Sequence, residues 1–131
     1  MKVIIDTPIW SAALRKGNDP HHAGVLAELV RRGRAQLLGA VRQEVLSGIR
    51  EGKQFQLIRD RLAAFPDLPL ERQDYEEAAA MFNRCRARGV QGSNTDFLIS
   101  AAAARRDLLV YTTDADFDRY ARLVHVKLLR V

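Results

Sequence analysis

The sequence predicts an α/β fold, a three-layer α/β/α sandwich with a mostly parallel central sheet, from two observations. Short apolar runs alternate with segments of helical period throughout the 131 residues. One of these runs, Leu108-Leu109-Val110-Tyr111-Thr112, reads as a continuous apolar strand, the pattern of a central parallel strand covered on both faces. Strands joined in this way need crossover helices, which pack onto the sheet and close the layers.

The elements follow in order. Val3-Ile4-Ile5 is β-branched and extended, and ends at Asp6-Thr7-Pro8. Asp19-Pro20 reads as an N-cap with proline at the first helical position. That helix turns Val25, Leu26, Leu29 and Val30 to one face and stops near Gly33. A second apolar run, Gln36-Leu37-Leu38-Gly39, leads into a helix with Val41, Val45 and Ile49 at helical spacing. Gly48 and Gly52 weaken its end, and Phe55, Leu57, Ile58 and Leu62 mark another. Pro66-Asp67-Leu68-Pro69-Leu70 breaks the pattern with a short extended piece. Residues 73–88 form a helix with Tyr75, Ala78, Ala79, Phe82 and Cys85 inward. Gly89 to Gly92 is a loop, and Ser93 caps an alanine-rich helix from Thr95 to about Arg106. After the strand at 108–112 come a turn or short helix at 114–122 and an alternating strand at 124–129.

Length, the absence of repeats and the lack of any linker imply a single domain over residues 1–131. No apolar run reaches the roughly 18 residues of a membrane span, and an acid at position 6 comes too early for a signal peptide. The single cysteine, Cys85, rules out an internal disulfide and reads as a buried thiol. These features point to the cytoplasm. A net charge of +5 is compatible with an anionic partner but decides nothing, because grouped arginines on helices are usually solvated faces. His21, His22 and His125 lack metal-ligand spacing, and Trp10 reads either as a base-stacking residue or as a contact with a partner helix.

The acids carry the chemistry. Asp6 directly follows the first strand, Glu44 lies one turn into the helix after the second apolar run, Asp96 is in the first turn of the alanine-rich helix, and Asp114 and Asp116 follow the strand at 108–112. In parallel sheets the ligand site lies beyond the carboxyl ends of the strands, where this order delivers the carboxylates. Gathered together they would repel, and a hard divalent cation with oxygen ligands resolves the repulsion. Taken singly, each acid also fits a turn or a helix cap: Ser93-x-x-Asp96 and Thr113-x-x-Asp116 both match a capping-box spacing.

The ordered set resembles the PIN-domain family, and within it the VapC toxins of toxin–antitoxin pairs. It comprises Val-Ile-Ile-Asp6-Thr7, the Glu44 helix, the block Gln91 to Ala102 with Asp96-x-x-Ile99-x-Ala101, and Thr112-Thr113-Asp114-Ala115-Asp116-Phe117. Together these span nearly the whole chain. The resemblance implies an endoribonuclease dependent on one or two Mg²⁺ or Mn²⁺ ions, hydrolysing RNA with a metal-activated water to leave 5′-phosphate and 3′-hydroxyl ends. It implies metal and catalytic roles for Asp6, Glu44, Asp96 and Asp114, with Asp116 competing for the fourth place. Thr7 and Thr113 are candidates for hydrogen bonds to these acids or to substrate phosphate. Arg42, Arg50 and Arg119 are candidates for flanking phosphates. A VapB-type antitoxin and a homodimer are the implied partners. Pro8 departs from many relatives, which have a small polar residue there. A non-catalytic PIN-like module binding RNA or protein is the alternative. A dehalogenase-type phosphatase would need an acid where Pro8 stands, and a receiver domain an acidic pair where Asp6 stands alone.

Overall fold

Four parallel strands, β1 (Val3–Ile5), β2 (Ala35–Gln36), β3 (Leu109–Tyr111) and β4 (Lys127–Leu128), form one sheet in the order β2-β1-β3-β4. The structure is a computed structural model that describes residues 1–16 and 19–131. Helices flank the sheet, as expected, and the expected mostly parallel pairing is parallel throughout the named strands. Val3, Ile4 and Ile5 are all fully buried, as a strand covered on both faces requires.

Seven α-helices connect the strands among the described residues: α1 (Thr7–Ser11), α2 (Pro20–Arg31), α3 (Gly39–Leu46), α4 (Gly52–Leu62), α5 (Arg72–Ala87), α6 (Asn94–Arg106) and α7 (Asp116–Ala121). Asp19 caps α2 by accepting from the His22 N–H at 3.2 Å, and Gly33 follows the helix with φ +67°. Ser93 caps α6, its hydroxyl accepting from the Asp96 N–H at 3.0 Å. The run Ala101, Ala102 and Ala103 is fully buried in α6, which contacts both β1 and β3. The expected extended piece after α4 makes a single parallel bridge, Leu37 to Asp67.

The structure corrects several sequence expectations. The segment after Asp6 is not a plain turn: α1 starts at once, with Pro8 in its first turn and a π-helical turn at Ala12–Lys16 following. Proline is tolerated there because the first-turn amides have no partner within the helix. Trp10 is buried inside the chain, its indole N–H donating to the Ile5 carbonyl at 3.1 Å, so it is neither a stacking platform nor a partner contact. Val30 and Leu57 face outward, and so does Tyr75, at 56% exposure; in α5 the inward positions are Asp74, Ala78, Met81 and Cys85. Cys85 is buried as expected.

Buried Asp74 joins α5 to α6. It accepts from the Arg105 guanidinium at 2.7 Å and from Arg106 at 2.7 and 2.8 Å, and reaches back to the Glu71 N–H at 2.7 Å. Its carboxyl is held well below the usual carboxylate range, first by the Arg106 hydrogen bonds, which outweigh the burial that pushes it up.

Candidate functional site

The strand order sets the place. The chain leaves β1 toward β2, then returns past it to β3 on the other side. The crevice beyond the carboxyl ends of β1 and β3 is therefore where such sheets bind ligands. The register pairs Ile5 with Tyr111, so the next residues, Asp6 and Thr112, meet at that crevice.

Asp6 is 3% exposed. It caps α1, accepting from the Thr7 N–H at 2.8 Å, and its other oxygen accepts from the Thr112 hydroxyl at 2.7 Å. The same Thr112 oxygen accepts from the Asp114 N–H, and an Asp114 oxygen accepts from the Asp116 N–H, both at 2.9 Å. This chain of bonds ties the loop after β3 to the end of β1. Asp96, half-buried in the first turn of α6, accepts from the Tyr120 hydroxyl at 2.7 Å. Glu44 is exposed on α3 beside a cavity of about 340 Å³ that Ala40, Gln43, Ser47 and Thr95 also line.

Burial and like charge act together on these acids. Burial raises the Asp6 carboxyl from 3.8 to about 6; the Thr112 and Thr7 hydrogen bonds oppose this, and the charges of Asp96 and Glu44 add to it. Asp96 is also raised, chiefly by burial, against hydrogen bonds from Tyr120 and Ser93, with Asp114 and Glu44 contributing like charge. Asp6, Glu44, Asp96 and Asp114 thus share one field. Among the described residues none of the four has a Lys or Arg ion pair, in a chain with 21 such cations; the ion pairs lie at Glu28, Asp67, Asp74, Asp107 and Asp116, among other positions. Asp116 differs, standing at the start of α7 and 3.6 Å from Arg119.

The donor set is all oxygen, like-charged and uncompensated, which suits a hard divalent cation. Its present spacing is open: among the described residues no three Asp, Glu, His or Cys side chains are arranged to hold one ion together.

The remaining sequence candidates separate. Thr113 is exposed, and the hydroxyl on Asp6 is that of its neighbour Thr112. The Thr7 hydroxyl is buried without a hydrogen-bond partner among the described residues, and only the Thr7 N–H serves Asp6. Arg42 is committed to the fold, donating to Asp67, to the Leu62 carbonyl at 3.0 Å and to that of Phe65. Arg50 is exposed. Arg119 lines a cavity of about 240 Å³ with Arg88, Arg122, Val90 and Leu123. Sequence reasoning missed Thr112, Tyr120 and the Arg88 and Arg122 side of that cavity.

The family model for the PIN domain matches residues 3–123, all but a few residues at either end. The chain belongs to the PIN domain family. Among solved structures, this PIN domain is similar to FitAcB from Neisseria gonorrhoeae, with a TM-score of 0.78 at 20% identity over 98% of this chain and 96% of that one. It is similar to VapBC2 from Rickettsia felis bound to a DNA fragment from its promoter, with a TM-score of 0.76 at 18% identity over 98% of each chain. VapBC-5 from Mycobacterium tuberculosis, a member of the VapBC family of toxin–antitoxin systems, gives 0.71 at 20% identity over the full length of both. At these identities the likeness is one of fold. No curated protein matches the sequence. Among the described residues no helix is long and apolar enough to cross a membrane.

Proposed function

We propose that the chain is an Mg²⁺- or Mn²⁺-dependent endoribonuclease, the VapC-type toxin of a pair with a VapB-type antitoxin. What supports this reading is that four carboxylates without a Lys or Arg ion pair among the described residues, around the switch between β1 and β3 of a PIN domain, act on one another by like charge. Asp6, Asp96 and Asp114 would hold one cation, with Glu44 positioning it or holding a second. Asp114 is preferred to Asp116 because its charge reaches Asp96 while Asp116 is engaged with Arg119. When bound, the cation supplies a Lewis acid that activates water and steadies the leaving 3′-oxygen. Thr112 and the Thr7 N–H fix the rotamer of Asp6, so that its carboxylate is oriented before any ligand arrives. Arg119, with Arg88 and Arg122 around the basic cavity, would hold flanking phosphates. The antitoxin belongs to the same reading, supported by the fold likeness to the VapBC structures; the homodimer rests on the family resemblance of the sequence motifs.

The test is incubation of purified chain with structured RNAs, with Mg²⁺, Mn²⁺ or chelator, beside Asp96→Asn. Cleavage that needs the cation and is lost in the variant is expected. Chelator-insensitive cleavage, or an Asp96→Asn variant as active as the parent, would sink the mechanism. Absence of cleavage by antitoxin-free protein would favour the non-catalytic RNA- or protein-binding module.

A further inference from the structure

The Tyr120–Asp96 bond is built with more care than a satisfied core tyrosine needs. Tyr120 is fully buried, its ring packed 4.7 Å from that of Phe97 and 5.1 Å from that of Phe117, centroid to centroid. This packing aims the hydroxyl at one oxygen of Asp96, Oδ2, at 2.7 Å. The Asp96 main chain is held as well: its N–H donates to the Ser93 hydroxyl at 3.0 Å and its carbonyl accepts from that of Ser100 at 2.9 Å. The approach of Tyr120 depends on Gly92. A Cβ there would stand 2.2 Å from the phenol oxygen, 2.7 Å from Cζ and 2.9 Å from Phe97 Cε2. Gly92 is not among the positive-φ glycines, which are Gly33, Gly48 and Gly89, so its backbone would accept a side chain and only the space forbids one.

We propose that Tyr120 is a positioning residue that fixes Asp96 for a divalent cation, and that glycine at 92 is the clearance through which it does so. The phenol occupies Oδ2 and sets the carboxylate plane, fixing the direction in which the other oxygen would face a ligand. This rests on reading the acid cluster as a cation site.

The experiment titrates Mn²⁺ into the full chain by calorimetry without RNA, alongside thermal melting, for the parent, Asp96→Asn, Tyr120→Phe, Gly92→Ala and the Tyr120→Phe/Gly92→Ala double variant. Tyr120→Phe keeps the packed ring and removes the bond. Its Mn²⁺ affinity should fall by about tenfold, the scale of losing an outer hydrogen bond to a ligand. Gly92→Ala should fall at least as far, and the double variant by much less than the product of the two, because both act on the same hydrogen bond. A hydroxyl that merely satisfies itself in the core would change the melt and leave the affinity alone. If the parent binds Mn²⁺, Asp96→Asn does not, and either Tyr120→Phe or Gly92→Ala binds like the parent, the positioning role is overturned while the cation site stands. If the parent does not bind, or Asp96→Asn binds equally well, the cation site falls and the positioning role with it.

Discussion

Burial at the end of β1 raises the Asp6 carboxyl to about 6, and the charges of Asp96 and Glu44 add to the effect, so folding without a cation works against its ionisation. Below the ordinary value of 3.8 both folded and unfolded chains are protonated there and Asp6 costs nothing. Between 3.8 and about 6 the folded chain holds the proton more tightly, so stability falls as pH rises, and the penalty is complete above about 6. The shift corresponds to about 3 kcal/mol at most. In chelator, Asp6→Asn should therefore unfold at higher urea than the parent at pH 8, and the gain should vanish at pH 3.5. An equal gain at both would assign the effect to packing instead. The acids themselves were legible in the sequence because each follows a strand or opens a helix. Which of Thr112 and Thr113 serves Asp6 was not, since that depends on the Ile5–Tyr111 register and a shift of one residue exchanges the two faces.

Helix α5 shows what periodicity reads and what it misses. Its existence and limits were legible to within a residue or two, but its inward face was not: Tyr75 is exposed, and an acid, Asp74, takes the buried place. The paired arginines that compensate it, Arg105 and Arg106, read as an ordinary solvated helix end until α6 is laid beside α5. Because the folded carboxyl is held low, this link is at full strength above the unfolded value of 3.8 and is lost only as pH falls through the depressed folded value. Asp74→Asn leaves two partly exposed guanidinium groups short of a partner. It should cost about 2–4 kcal/mol in urea unfolding at pH 7, toward the lower side of a broken buried pair, with RNA cleavage retained by the fraction still folded. A loss below about 0.5 kcal/mol, no more than an exposed ion pair contributes, would show that packing alone holds α5 on α6. Helix α1 escaped the sequence for a local reason: Asp6-Thr7-Pro8 is as good a turn as it is a helix start, and only burial of Ile9 and Trp10 decides between them.

At the scale of the molecule, a chain of net charge +5 sets four mutually repelling acids around one crevice, and a basic cavity is linked to them through Arg119 and Asp116. On the proposed function, the cavity would hold an RNA strand whose scissile phosphate lies at the acids. Replacing Arg88, Arg119 and Arg122 by Ala should weaken RNA binding in chelator and flatten its salt dependence by about 0.7 log units for each phosphate no longer neutralised. Replacing Arg31 and Arg32, both paired with Glu28 on α2, should leave the slope unchanged. Equal slopes for all three proteins would remove the cavity from the RNA path. The fold class was legible from strand and helix alternation, whereas the cavity was not, since Arg88 and Arg122 lie far apart in sequence and meet only through packing.

Asp6 and Thr112 are 106 positions apart, and they meet only once β3 lies beside β1. A ribosome delivers the N-terminal strand first, and β2 can pair with it long before β3 exists. Until β3 emerges Asp6 therefore sits at an unfinished sheet edge, without its threonine and without Asp114. Only when β3 and the loop after it emerge does the crevice close around its acids. The crevice is thus assembled late: 106 positions of chain must be made and folded back before Asp6 has its partner.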